Sequence, residues 1–170
     1  MKTPDKIFLI GFMGSGKSTL GKRLANKLDV TFFDLDIEIE NQEGLSVNEI
    51  FNQKGEEYFR KIESDVLKRI TAEHSKFVLA LGGGTPCFND NISVINHNGK
   101  SVYLKYNAGM LYSRLVNAKA DRPLLKGKTD EELKAFIEQK LTEREIFYNQ
   151  SEFIIESDNI KVEIILELLS

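Results

Sequence analysis

The chain of 170 residues predicts a three-layer α/β fold, with a central parallel sheet of about five strands between helices. Three observations carry that prediction. Short apolar runs alternate with longer segments whose apolar residues recur at helical spacing. The run Phe77-Val78-Leu79-Ala80-Leu81 is apolar throughout, as a strand buried on both faces must be. Glycine-rich or acidic turns follow three of the strands directly, where an open parallel sheet places its ligands.

The first strand is expected over 6–11, built on Ile7-Phe8-Leu9-Ile10. A helix follows over Lys17–Leu28, with Leu20, Leu24, Ala25 and Leu28 on one face. The second strand covers 30–33 and runs into Asp34-Leu35-Asp36. A helical stretch comes next, in which Ser46 is suited to cap a helix over 47–53. The helix over 55–73 turns Phe59, Ile62, Val66, Leu67 and Ile70 inward. The strand 77–81 ends in Gly82-Gly83-Gly84, and a short helix over 90–96 precedes a strand at 101–104. Helices over 110–116 and Asp130–Tyr148 flank a polar stretch that contains Pro123 and Gly127. A last strand at 153–155 and a helix at 161–169 complete the chain. Strands that alternate with helices in this way need crossover connections, hence parallel pairing.

The length suits one domain, spanning 1–170, with no linker or repeat that would divide it. With 41% hydrophobic and 29% charged residues and a net charge of −3, the chain has no global attraction for nucleic acid or an anionic membrane. Any anion site must be built locally. No run of 18 apolar residues occurs, and the start passes directly into a strand, so a soluble cytoplasmic protein is expected. The single cysteine, Cys87, excludes an intrachain disulfide and reads as a small buried residue. His74 and His97 lack metal-ligand spacing and read as surface residues, and nothing demands more than a monomer.

Chemistry concentrates in a few places. Gly11-Phe12-Met13-Gly14-Ser15-Gly16-Lys17-Ser18 spells G-x-x-x-x-G-K-S between a strand and a helix. Such a loop aims backbone N–H groups and a helix N-terminus at phosphate, with Lys17 reaching the β- and γ-phosphates and Ser18 a magnesium ion. A nucleoside triphosphate is therefore the expected ligand. Asp34 and Asp36, at a strand end, suit one carboxylate for a metal shell and one for taking a proton from a hydroxyl. Read alone, they are a solvated turn with a helix cap. Arg60 and Glu63 share a helix face, either as a surface ion pair or as a guanidinium aimed at a carboxylate ligand and oriented by its neighbour. Three consecutive glycines forfeit backbone entropy, which close approach of a ligand to bare amides explains. Lys119, Arg122, Lys126 and Lys128 make the polar stretch basic, as in a lid closing over phosphates. Arg144, amid Glu143 and Glu145, looks by itself like a solvated helical charge.

In order, the chain carries G-x-x-G-S-G-K-S-T, D-x-D, F-R-x-x-E, G-G-G, R-P-L-L and E-R-x-x-x-Y. From residue 7 to about 150 this combination closely resembles the shikimate kinase family. The loop alone specifies only nucleotide binding; the other motifs at these spacings are far more specific. The resemblance implies a P-loop NTPase fold of the nucleoside-monophosphate-kinase kind, with a substrate-binding helical segment over about 34–62 and a lid over about 115–128. It implies transfer of the γ-phosphate of ATP to the 3-hydroxyl of shikimate, with Mg2+, on the route to chorismate and the aromatic amino acids. By resemblance, Gly14, Ser15, Gly16, Lys17, Ser18 and Thr19 wrap the phosphates, and Ser18 and Asp34 hold the metal. Asp36 is the base or orients the attacking oxygen. Arg60 and Arg144 clamp the shikimate carboxylate, Glu63 steers Arg60 and touches ring hydroxyls, and the Gly83 amide bonds the substrate. Arg122 on the lid and Lys17 stabilise the transferring phosphoryl group, and Arg114 stacks near adenine. Where some members carry basic residues in the adenine loop, this chain has Ser157-Asp158-Asn159-Ile160, which implies a backbone contact. Two rivals stand beside this reading: another small-molecule kinase of the same fold, such as a gluconate kinase, and a catalytically idle nucleotide-dependent regulator. The first gives no reason for Arg60-x-x-Glu63 with the glycine triplet, and the second predicts loss of Lys17, Asp36 or Arg122.

Overall fold

A computed structural model describes residues 4–117 and 124–170. Five strands, β1 (Lys6–Ile10), β2 (Thr31–Asp34), β3 (Phe77–Ala80), β4 (Lys100–Lys105) and β5 (Phe153–Glu156), form one sheet in the order β2-β3-β1-β4-β5. Every pairing is parallel, with Phe8 of β1 opposite Leu79 of β3 and Ser101 of β4, and Phe33 of β2 opposite Leu79. Consecutive residues Ile7, Phe8, Leu9 and Ile10 are at most 1% exposed. Since successive side chains leave a strand on opposite faces, both faces of β1 are covered.

The helices are α1 (Lys17–Leu28), α2 (Leu35–Glu43), α3 (Val47–Lys54), α4 (Glu56–Glu73), α5 (Asn91–Asn98), α6 (Ala108–Val116), α7 (Asp130–Tyr148) and α8 (Val162–Leu169). Most match the expectation within two residues. The stretch after β2 resolves into two helices, because Asp34 caps α2 by accepting from the amides of Asp36 and Ile37. Asp36 thus stands on the first turn of a helix. Gly44, at φ 66°, ends α2, and a capping box of Ser46 and Glu49 starts α3. A 3₁₀ turn over Thr85–Cys87, unforeseen in the sequence, follows the glycine triplet. His74 is half-buried with its ring 4.7 Å from that of Phe33, so it is not the surface residue expected; His97 is exposed.

The expected lid over 115–128 can be followed only at its flanks, since Arg122 and Pro123 lie outside the described residues. On the far flank Leu125 is fully buried and its carbonyl accepts from the Lys128 amide at 3.2 Å. No helix among the described residues is long and apolar enough to cross a membrane.

The chain runs from β1 out to β2, returns through β3, and then crosses to β4 on the other side. The order reverses beside β1, the place where open sheets of this kind hold ligands. Register around β1 leaves little tolerance at Gly99, which ends α5 and leads into β4. A Cβ there would lie 2.4 Å from the Lys6 carbonyl oxygen and 2.8 Å from the Phe8 ring. Gly99→Ala is expected to cost about 1–3 kcal/mol through overpacking, seen as a lower urea midpoint at unchanged m-value.

Candidate active site

The loop after β1 curls because Gly14 and Gly16 hold φ of 79° and 83°, conformations that favour glycine. Gly16 also begins α1 without a side-chain cap, which leaves the first helical amides open to an anion. Lys17 folds back along the loop, its Nζ donating to the carbonyls of Gly11 at 2.7 Å and Phe12 at 2.9 Å. Ser15 is 1% exposed, and its hydroxyl lies 2.6 Å from where a Gly11 Cβ would be, so its side chain points into the protein. Its amide donates within the loop, to the Phe12 carbonyl at 3.2 Å. Ser18 and Thr19 are exposed on the first turn of α1.

Asp34 reaches across from β2 and accepts a hydrogen bond from Ser18 Oγ at its Oδ2, 2.5 Å away. Its other oxygen caps α2. The capping reading of this residue is thus seen directly, with the second oxygen turned to Ser18. Asp36 is half-buried at the cleft, and its pKa is pushed up to about 6, first by burial and then by the carboxylates of Asp34 and Glu63, with Lys17 opposing. Among the described residues no group of three or more His, Cys, Asp or Glu side chains could hold a metal ion. The Ser18 hydroxyl and Asp34 carboxylate are nonetheless hard oxygen donors of the kind Mg2+ takes beside phosphate and water.

Arg60 and Glu63 are not a surface pair. Glu63 is 1% exposed, and Arg60 Nη1 donates to its Oε1 at 2.9 Å. Burial raises the Glu63 pKa, against the pull of Arg60. Each Glu63 oxygen has a donor, Oε1 from Arg60 and Oε2 from the Thr85 hydroxyl. The Arg60 guanidinium also lies 4.0 Å from the Phe88 ring and 3.5 Å from Glu56 Oε1. Arg144, far from a solvated charge, is half-buried with its guanidinium 5.4 Å from the Phe12 ring.

The glycine triplet joins these parts. None of its three residues has positive φ, so backbone conformation does not demand glycine. Space does. A Cβ on Gly82 would meet Asp36 Oδ1 at 3.1 Å and Glu63 Oε2 at 3.4 Å; on Gly83, Arg144 Nη1 at 3.0 Å; on Gly84, the Arg60 guanidinium at 2.7 Å. Close approach is the reason for all three, as expected, but the groups that approach are the protein's own.

Four residues unforeseen in the sequence support the site. Phe88 covers Arg60, Thr85 bonds Glu63, Tyr106 bonds Arg114, and the Tyr148 hydroxyl donates to the Gly83 carbonyl. Only Tyr148 left a trace in the sequence, as the last letter of E-R-x-x-x-Y. Arg114 stacks 4.3 Å over Tyr106 and donates to the Gly14 carbonyl at 3.2 Å, which sets it beside the loop. The Tyr106 hydroxyl also accepts from the Ile160 amide at 3.3 Å, tying in the segment after β5. Cys87 is half-buried rather than buried, and burial pushes its thiol up to about 11 in spite of Arg144 and Arg60 nearby. It borders the site as an inert thiol.

The family model for shikimate kinase matches residues 13–170. Shikimate kinases from Azobacteroides pseudotrichonymphae and Bacteroides thetaiotaomicron are 46% and 45% identical over 149 and 156 residues, or 88% and 92% of this chain and 88% and 89% of theirs. A crystal structure of shikimate kinase from Bacteroides thetaiotaomicron superposes with a TM-score of 0.92 at 41% identity, covering 98% of both chains. A shikimate kinase from Acinetobacter baumannii, solved in complex with shikimate, gives 0.87 at 32% identity over 97% of this chain and 92% of that one.

Tyr148 is fully buried, and its hydroxyl is the donor that the Gly83 carbonyl has. Tyr148→Phe is expected to cost about 1–2 kcal/mol, the penalty of an abandoned acceptor. For a chain of this size that is a fall in Tm of roughly 2–8 °C by calorimetry.

Proposed function

The chain belongs to the shikimate kinase family, and from that premise we propose how its residues transfer the γ-phosphate of ATP to the 3-hydroxyl of shikimate. The observation that carries the reading is the setting of the glycine triplet. Two guanidiniums, Arg60 and Arg144, and two carboxylates, Asp36 and Glu63, converge on it one strand away from the phosphate loop. Shikimate is a small anion with three hydroxyls, and it needs a cationic clamp together with an acceptor for an OH proton.

Gly14, Ser15, Gly16, Lys17, Ser18 and Thr19 wrap the phosphates, with the Ser15 amide leaving the Phe12 carbonyl and Lys17 swinging from the Gly11 and Phe12 carbonyls onto the β- and γ-oxygens. Ser18 and Asp34 would hold Mg2+, which supplies charge neutralisation across the phosphates when bound. Arg60 and Arg144 bind the shikimate carboxylate, and the Gly83 amide bonds the substrate between them. Asp36 faces the 3-hydroxyl. Raised to about 6, its carboxylate is ionised at neutral pH and more basic than an ordinary Asp, so it accepts the proton more readily as the oxygen attacks. Phosphoryl transfer asks for position and charge more than covalent help, which matches a site of fixed cations and one base.

Arg122 carries its role by family resemblance alone: a cation on the transferring group that also helps exclude water. Arg114 flanks the adenine with its guanidinium, and the segment 157–160 meets the base through its backbone. All of these residues belong to one chain, in keeping with a monomer, and the lone unpaired cysteine suits the cytoplasm.

Purified protein with MgATP should release ADP only when shikimate is present, with gluconate as the control, and NMR should find the phosphate on the 3-oxygen. ADP release indifferent to shikimate would sink the reading. Asp36→Asn is expected to lower kcat by about 10²–10⁴-fold while ATP still binds; near-normal turnover would remove Asp36 from the chemistry. Arg60→Ala should raise KM for shikimate by about 10–100-fold, since a lost charged hydrogen bond costs ~1.5–3 kcal/mol, with KM for ATP little changed.

A further inference from the structure

Thr85 opens the 3₁₀ turn after the glycine triplet and is fully buried. Its hydroxyl donates to Glu63 Oε2 at 2.8 Å, while Arg60 Nη1 donates to Oε1 at 2.9 Å. Each oxygen of the carboxylate thus has its own donor, and the two donors set its plane from different directions. Thr85 is held in turn. Its amide donates to the Gly82 carbonyl at 3.1 Å, and its carbonyl accepts from Asn91 Nδ2 at 2.9 Å. Asn91 Oδ1 accepts from Ser64 Oγ at 2.8 Å, and Ser64 adjoins Glu63 on α4. The contacts close a ring through Glu63, Thr85, Asn91 and Ser64, whose members are 1%, 0%, 0% and 4% exposed. Hydrogen-bond rings shut off from water are stiff when every member is satisfied.

We infer that Thr85 is a positioning residue for the acceptor: by fixing Glu63 Oε2 it sets the angle at which Arg60 meets the shikimate carboxylate. The inference rests on the reading of Arg60 as the clamp. Arg60 is exposed enough to meet a ligand, with 13% of its side-chain surface open, whereas Glu63 is not, so the orientation of Arg60 passes through Glu63 to Thr85. Loss of the hydroxyl frees one oxygen of a buried carboxylate and lets the Arg60 pair turn. The charge state of Glu63 follows as well. It faces Arg60 on its own helix, Arg144 from α7, Asp36 from α2 and the Cys87 thiol from the 3₁₀ turn. Burial already favours its neutral form, and Thr85 opposes that. Without Thr85 the folded-state pKa rises further, so on lowering the pH Glu63 takes a proton earlier and releases Arg60.

The test compares Thr85→Val, Thr85→Ala and Thr85→Ser in the full chain. For the valine and alanine variants we expect KM for shikimate to rise about tenfold, the scale of one lost hydrogen bond to a charged group. KM for ATP should stay within twofold, and the rise should steepen at a higher pH than in the parent. Thr85→Ser, which keeps the hydroxyl, should restore KM for shikimate to within about threefold of the parent. Unchanged KM for shikimate in the alanine variant overturns the inference. So does a rise in both KM values together with no rescue by serine, because that pattern belongs to a damaged fold. Arg60→Ala, run alongside, separates the two levels. If it leaves KM for shikimate unchanged, the clamp reading itself fails; if it raises KM while the Thr85 variants do not, only the positioning role is lost.

Discussion

Everything at the site depends on β3 lying between β2 and β1. Neighbouring parallel strands run about 4.8 Å apart, so this order sets three carboxyl ends side by side: Asp34 and Asp36, the glycine triplet, and the phosphate loop. No single one of these segments binds both substrates of a kinase. Side by side, they bring the glycine-rich loop, the Asp36 carboxylate and the guanidiniums of Arg60 and Arg144 to one cleft. The order arises because the chain leaves β1 through α1, lays down β2 at the edge, and returns through α4 to fill the gap. The helices α2, α3 and α4 occupy that excursion, which is why Asp36, Arg60 and Glu63 all come from one stretch of sequence.

Bringing four charges to one small cleft is costly unless each has a partner, since an uncompensated ion out of water costs several kcal/mol. The structure meets this in different ways. Glu63, the most buried, receives Arg60 and Thr85; Arg60 has Glu63, Glu56 and the face of Phe88; Arg144 has the face of Phe12. Asp36 is the exception. Burial first, and then the carboxylates around it, raise its pKa against the pull of Lys17. A group held in an environment that disfavours its charge is the one most ready to accept a proton, so the strained member of the cluster is the one suited to chemistry. The surrounding pairs confine the strain to it.

The fold was legible because parallel strands carry apolar runs that periodicity detects, and because each chemical motif follows a strand. The start of α2 at Leu35 was not, since a D-x-D pair does not say on which side of a helix start each residue falls. The importance of Arg60 and Glu63 was visible only through resemblance, because an i,i+3 pair has the same spacing whether it lies in water or at 1% exposure. Thr85, Phe88 and Tyr106 were invisible for a related reason. Their partners are distant in sequence, and a threonine, a phenylalanine or a tyrosine in a turn has no spacing rule that points to a carboxylate or a guanidinium across the fold. The glycine triplet was read as a place where a ligand comes close to bare amides; that side chains of the protein itself also crowd it was not visible in the sequence.

Asp34 shows how closely the two halves of the site are coupled. Its Oδ2 meets Ser18, at the start of the helix that faces the phosphates, and its Oδ1 caps α2, whose first turn carries Asp36. One carboxylate therefore ties the helix that starts at the glycine-rich loop to the helix that carries Asp36. An asparagine there would retain an oxygen for the cap and could donate from Nδ2 to Ser18 Oγ, but it would remove the negative charge that the N-terminus of α2 favours. A serine would reach the cap but not Ser18. Aspartate serves both ends from a short stem and adds a charge that the N-terminus of α2 favours, and this is the physical content of the aspartate that precedes Leu35-Asp36.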